Sequence, residues 1–141
     1  MNTRSIMLAI LFVGIASSVL TYVVYFNYII YDVAEFRMDA TVVEKNRMGF
    51  NVENDSVHFG SVPLGATGKR TLMVDNPAGE PLTMDIKTYG NISGWVSVSA
   101  NGFLLEPGEV REIQIICDVP DGAEKGYYSG SLQIVYMRVG G

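Results

Sequence analysis

The side chains able to do chemistry are few in this chain, and they do not combine. His58 is the sole histidine and Cys117 the sole cysteine, so neither a His-rich metal site nor a second histidine proton shuttle can be assembled. Asp118, Asp121 and Glu124 gather carboxylates around the turn Pro120-Asp121-Gly122. Oxygen ligands of that kind suit calcium, but the EF-hand spacing is missing, and the three read as solvated turn acids. Gly60-Ser61-Val62-Pro63-Leu64-Gly65 does not lie between a strand and a helix. It therefore reads as a hairpin-type connection and not as a phosphate loop. These residues point away from catalysis: no catalytic, metal or cofactor residue is assigned, and no cofactor is expected. Two N-glycosylation sequons, Asn54-Asp55-Ser56 and Asn91-Ile92-Ser93, fall in turn regions and make Asn54 and Asn91 candidate modification sites.

Around these residues the dominant element is an apolar run without a charged side chain, from Ile6 to Tyr31. At about 1.5 Å per residue, roughly 20 such residues cross a bilayer. A cleaved secretory signal is the competing reading, because Arg4 supplies a positive start and Gly14, Ala16, Ser17 and Ser18 supply small residues. Val19, Leu20, Val23, Val24, Ile29 and Ile30 prolong the run well beyond those small residues. A signal h-region is shorter than this, which favours an uncleaved signal-anchor. Arg4 precedes the span, whereas Asp32, Glu35, Arg37 and Asp39 follow it. The positive-inside rule then puts the N-terminus in the cytoplasm and the remainder outside. Tyr22, Tyr25, Phe26, Tyr28 and Tyr31 crowd the C-terminal third of the span, where amphipathic rings suit the outer headgroup level. Asn27 among them either bonds a neighbouring helix or reaches interfacial water.

All 15 acidic residues lie beyond the span, together with nine of the ten basic ones. An acidic domain with scattered Lys and Arg is a poor partner for nucleic acid or for anionic headgroups, since both need clustered cations. With one cysteine, an exported domain must hold together by packing alone. Cys117 alternates with polar neighbours in the row Ile113, Ile115, Cys117, Val119, which is a core position rather than that of a nucleophile.

Past the span, short strand-like runs alternate with turns rich in Gly, Pro, Asn or Asp. The expected strands cover 39–44, 49–53, 56–59, 70–75, 82–88, 95–99, 110–119 and 127–138. Alternation turns Leu72, Val74, Met84, Ile86, Ile113, Ile115, Cys117, Leu132, Ile134 and Tyr136 inward. Trp95 reads as a cap on the core in preference to a sugar platform. The fold class is all-β: an immunoglobulin-like β-sandwich of seven or eight strands behind one N-terminal transmembrane helix, without the Cys, Trp, Cys hallmark of antibody domains. The division is 1–5 cytoplasmic, 6–31 transmembrane signal-anchor, 32–38 juxtamembrane linker and 39–141 extracytoplasmic sandwich.

The stretch Phe59-Gly60-Ser61-Val62-Pro63-Leu64-Gly65, followed by Leu72-Met73-Val74-Asp75-Asn76, resembles the start of an ASH or MSP-like module. Trp95-Val96-Ser97-Val98, Leu105-Glu106-Pro107-Gly108-Glu109, Val119-Pro120 and Gly126-Tyr127-Tyr128-Ser129-Gly130 are similar to the NEW3 and CARDB-type modules of prokaryotic, especially archaeal, envelope proteins. The resemblance covers nearly all of Ser56 to Val139. It rests on turn and core signals, so it implies a fold and hardly an activity.

The resulting expectation is a non-enzymatic protein of the cell envelope, single-pass in the plasma membrane. It contacts lipid through 6–31 and another envelope or membrane protein through its sandwich, with self-association open. Lys69, Arg70, Tyr127, Tyr128, Gln133 and Met137 are the candidate contact residues. Two alternatives stand beside it: an archaellum stator-like or pilus accessory component, and a small auxiliary subunit of a membrane enzyme. A mature pilin is disfavoured, because Arg4-Ser5-Ile6 lacks the glycine that precedes the apolar run in a prepilin.

Overall fold

The computed structural model of the protein describes residues 2–44 and 56–140. The apolar run folds as α1 (Thr3–Val24) and continues without interruption into a π-helical turn, Tyr25–Ile29. None of the residues in either piece is buried. Together they form a stretch of 27 residues whose most apolar 18-residue window has mean hydropathy 2.3. This is a candidate single-pass membrane anchor or signal sequence. Its polar side chains bond back one turn: Ser18 Oγ donates to the Gly14 carbonyl and Thr21 Oγ1 to that of Ser17, both at 2.9 Å. Asn27 Nδ2 donates to the Val23 carbonyl at 2.8 Å. Asn27 thus finds a partner within its own helix, whereas both readings from sequence looked outside it.

Eight strands follow among the described residues: β1 (Ile30–Val43), β2 (Ser56–Pro63), β3 (Thr67–Asp75), β4 (Leu82–Gly90), β5 (Val96–Val98), β6 (Phe103–Leu105), β7 (Val110–Asp118) and β8 (Gly126–Arg138). They make two sheets, ordered β2-β1-β8-β4-β6 and β3-β7-β5. The expected all-β sandwich behind one helix is therefore the fold. Every ladder is antiparallel except β1 with β2.

The inward rows of both sheets make one core. Met38, Ala40 and Val42 of β1, Met84 and Ile86 of β4, and Leu132 and Ile134 of β8 face Val74 of β3 and Ile113, Ile115 and Cys117 of β7. At about 25 cal/mol per Å² of apolar surface removed from water, each large side chain here contributes roughly 1.5–3 kcal/mol. Leu72 and Tyr136, placed inward by alternation, are only partly buried and pack against this core from its margin.

Several expectations require revision. The segment 32–38 is not a linker but part of β1, which starts at Ile30 and pairs with β8 from there onward. The charges of Asp32, Glu35 and Arg37 suggested a solvated spacer. Ala34 and Phe36 nevertheless pack against the core while Glu35 and Arg37 point out, a period of two carried by only two inward residues. Gly60 to Pro63 is not a hairpin connection but strand β2, and only Leu64 to Ala66 turns before β3, which belongs to the other sheet. Gly60 has φ +71° and sits where the β1–β2 register gains one residue on β2, between the pairs Asp39↔His58 and Thr41↔Ser61. It is a bulge glycine, which is why a Gly in this segment resembled a turn. Phe103–Leu105 is a strand that the pattern did not reveal, three residues being too few to show alternation. The expected strand 49–53 lies outside the described residues.

Buried Asn76, 1% exposed, ties the loops together at one end of the sandwich. Its Nδ2 donates to the carbonyls of Glu80 and Leu105, and its Oδ1 accepts from the Ala78 N–H, all at 2.9 Å. Its backbone N–H reaches the Glu109 carbonyl at 3.0 Å, and its own carbonyl accepts from Gly108 N–H at 2.9 Å. Such a residue supplies a fixed hydrogen-bond pattern where three connections converge.

Candidate interaction surface

Alternation along β8 sorts the candidate contact residues by face. Leu132 and Ile134 are wholly buried, so Tyr127, Ser129, Ser131, Gln133, Val135 and Met137 take the outer side of the five-stranded sheet. Tyr127 is 64% exposed, and Gln133 lies between Glu35 of β1 and Lys87 of β4 in the register. Tyr128 points the other way: its ring packs on Trp95 with centroids 4.5 Å apart, and its hydroxyl donates to the Glu124 carbonyl at 2.9 Å. Trp95 and Tyr128 together pack against the core, in keeping with the capping role read for Trp95.

Lys69 is exposed on β3, in the three-stranded sheet. Neighbouring Arg70 turns to the sandwich margin, where its Nε donates to the His58 carbonyl of β2. The structure therefore gathers Tyr127, Gln133 and Met137 on one face, leaves Lys69 on the opposite sheet, and ties Arg70 and Tyr128 to intramolecular partners. Two adjacent tyrosines look alike in sequence, and strand pleating alone separates their roles.

The outer face of the five-stranded sheet carries a depression of about 510 Å³ lined by Glu35, Arg37, Asp39, His58, Tyr127 and Ser131, among others. Small serines on β8 create the hollow, and alternating charges on β1 edge it. His58 and Asp39 are register neighbours across β1 and β2, and Nδ1 and Oδ2 stand 2.6 Å apart. Nε2 of His58 is buried. With Nδ1 held on Asp39 and Nε2 shielded from solvent, the histidine joins β1 to β2 beneath this depression. Lys87 and Asp85 form a further ion pair on this face at 3.2 Å.

Cys117 is free and buried, and burial pushes its thiol up to about 11, with Asp118 adding to the effect. Asp118 accepts a 2.6 Å hydrogen bond from the Thr67 hydroxyl. Among the described residues no group of three or more His, Cys, Asp or Glu side chains is placed to hold a metal ion. Asn91 is exposed in the turn after β4, its Oδ1 accepting from the Ser129 N–H at 2.9 Å. Asn54 lies outside the described residues. Sequence reasoning passed over Arg138 and Asn76. Asn76 had a signal, the Asn-Pro step after a strand, but nothing local marks Arg138.

No protein-family model matches the chain. Nor does any curated protein match it. Among solved structures it is similar to the DraE adhesin in complex with chloramphenicol succinate, at 13% identity, over 78% of this chain and 98% of that one, with a TM-score of 0.43. At that level the likeness carries no argument about function.

Proposed function

We propose that the protein is a non-enzymatic, membrane-anchored component of the cell envelope whose β-sandwich binds another envelope or membrane protein. In this reading the N-terminus is cytoplasmic and the sandwich lies outside the plasma membrane. One observation carries it: an apolar helix with no buried residue runs directly into β1, a strand of the five-stranded sheet. The outer face of the five-stranded sheet, with Tyr127, Gln133 and Met137, is the contact surface, and an exposed tyrosine flanked by small polar residues suits that use. The envelope-module resemblance is in keeping with this placement, and glycosylation of Asn91 would follow from it.

A stator-like or pilus accessory role is the second reading, favoured by the same uninterrupted passage from helix to strand. Crosslinking in native membranes, followed by purification through a C-terminal tag and mass spectrometry, tests both. A stoichiometric envelope or motility complex is the expected result, and its loss in Tyr127→Ala would locate the contact. Recovery of a membrane enzyme would instead select the auxiliary-subunit alternative, and recovery of the protein alone would overturn the adaptor role.

A further inference from the structure

Nothing separates the helix from the sandwich. The π-helical turn ends at Ile29 and β1 begins at Ile30, paired with β8 from there and with β2 from Arg37 onward. A single peptide unit between two rigid elements still permits a pivot, unless a second contact fixes the angle. Arg138, the last residue of β8, provides that contact. Its Nη1 donates to the Asn27 carbonyl at 3.1 Å and to the Ile30 carbonyl at 3.3 Å. The guanidinium stands 5.3 Å from the centroid of the Tyr31 ring, and Nε pairs with Glu80 Oε1 at 2.9 Å.

The last carbonyls of a helix have no partners inside it and carry its negative partial charge, so a cation is favoured there. Guanidinium has donors in a fixed planar fork and a face that stacks on an aromatic ring, and an ammonium has neither. Tyr31 sits where the β1–β8 register slips, between Ile30↔Met137 and Asp32↔Tyr136. That irregularity places its ring beside Arg138.

We infer that Arg138 locks the sandwich to the membrane helix, making the protein a strut of fixed height and not a domain on a tether. The inference rests on the adaptor reading for its purpose. The 14 residues of β1, at about 3.3 Å each, carry the far end roughly 45 Å from the helix. Val42 pairs with Gly126 and Val43 with Pro63 there, and Lys125 pairs with Glu44. A partner docked on Tyr127, which pairs with Thr41 near that end, is held at one distance from the bilayer, as a protein layer parallel to the membrane would be.

The test is a distance distribution between spin labels at Leu20→Cys and Thr71→Cys in the full chain, reconstituted in phosphatidylcholine nanodiscs. Buried Cys117 stays unlabelled. A single narrow distribution is expected, at least doubling in width in Arg138→Ala, in Arg138→Lys and after a short Gly-Ser insertion between Ile29 and Ile30. A wild-type distribution as broad as that of the insertion variant would overturn the strut. A narrow one in folded Arg138→Ala, with Trp95 emission unchanged, would remove Arg138 from it. If Arg138→Ala fails to fold, Arg138→Lys decides the residue and the insertion decides the strut. A narrow distribution in a protein that captures no partner leaves the strut standing and the adaptor role refuted, and the opposite pair of results does the reverse.

Discussion

Ile134 and Ile15 are the same side chain in opposite settings, the first wholly buried and the second 57% exposed. Ile134 sits in the middle of β8, where apolar residues alternate with polar ones and only one face meets the core. Ile15 belongs to a helix that is apolar on every side. A stripe is what a fold in water requires, whereas an apolar cylinder is what a hydrocarbon solvent accepts. Hydrophobicity therefore has two roles in this chain, and its periodicity distinguishes them.

Substitutions that damage one region and spare the other test this contrast. The largest effect is expected from Ile134→Ala, which leaves a cavity between the sheets and should lower sandwich stability by about 2–5 kcal/mol in denaturant unfolding, with membrane extraction unchanged. Ile15→Lys should show the reverse: a cost of about 2.5–3.5 kcal/mol in insertion and an unaltered unfolding midpoint. A shift in both assays for either variant would mean that the two regions are not independent.

Asn76→Ala comes next. It strands the Leu105 carbonyl and the Ala78 N–H in a buried setting and removes the bond to the Glu80 carbonyl, and about 1–3 kcal/mol should be lost in the same unfolding assay. Cys117 offers a smaller probe of core integrity. Its thiol, 0% exposed and with its pKa pushed up to about 11, should resist a thiol reagent at pH 8 until the sandwich unfolds. Labelling of the native protein at the rate of the denatured one would contradict that packing.

The smallest effect is at Glu109, whose carboxylate accepts the Glu106 N–H and pairs with Arg111, and is thereby held below the ordinary glutamate range. Because the folded state binds this proton less readily, the contribution is present above the usual glutamate pKa and fades as pH falls through the lowered value. Glu109→Gln should flatten the acid side of the stability profile by a small amount, measurable as a reduced dependence of the thermal midpoint on pH.

Much of the architecture was legible because its signals are local. Strands β4, β7 and β8 stood near their observed bounds, since Met84-Asp85-Ile86, Ile113-Gln114-Ile115 and Leu132-Gln133-Ile134 each alternate cleanly. β1 was seen only in its second half, because Asp32, Glu35 and Arg37 beside a membrane segment resemble a spacer as well as the outer face of a strand. The candidate contact residues were legible as types and not as a group. Tyr127 and Tyr128 adjoin in sequence yet occupy opposite faces, and Arg70 is held by a carbonyl on another strand.

Residue order by itself determined the apolar segment, the acid excess beyond it and the inward rows of the longer strands. Each of these follows from composition or from a period of two along a few residues. Only the tertiary structure decided that β1 lies between a parallel and an antiparallel neighbour, that Gly60 is a bulge and not a turn, and that Arg138 closes on the helix end more than 100 residues earlier. Those contacts join segments far apart in the chain. Which strand edge meets which depends on packing both sheets over one core, and no local pattern encodes that choice.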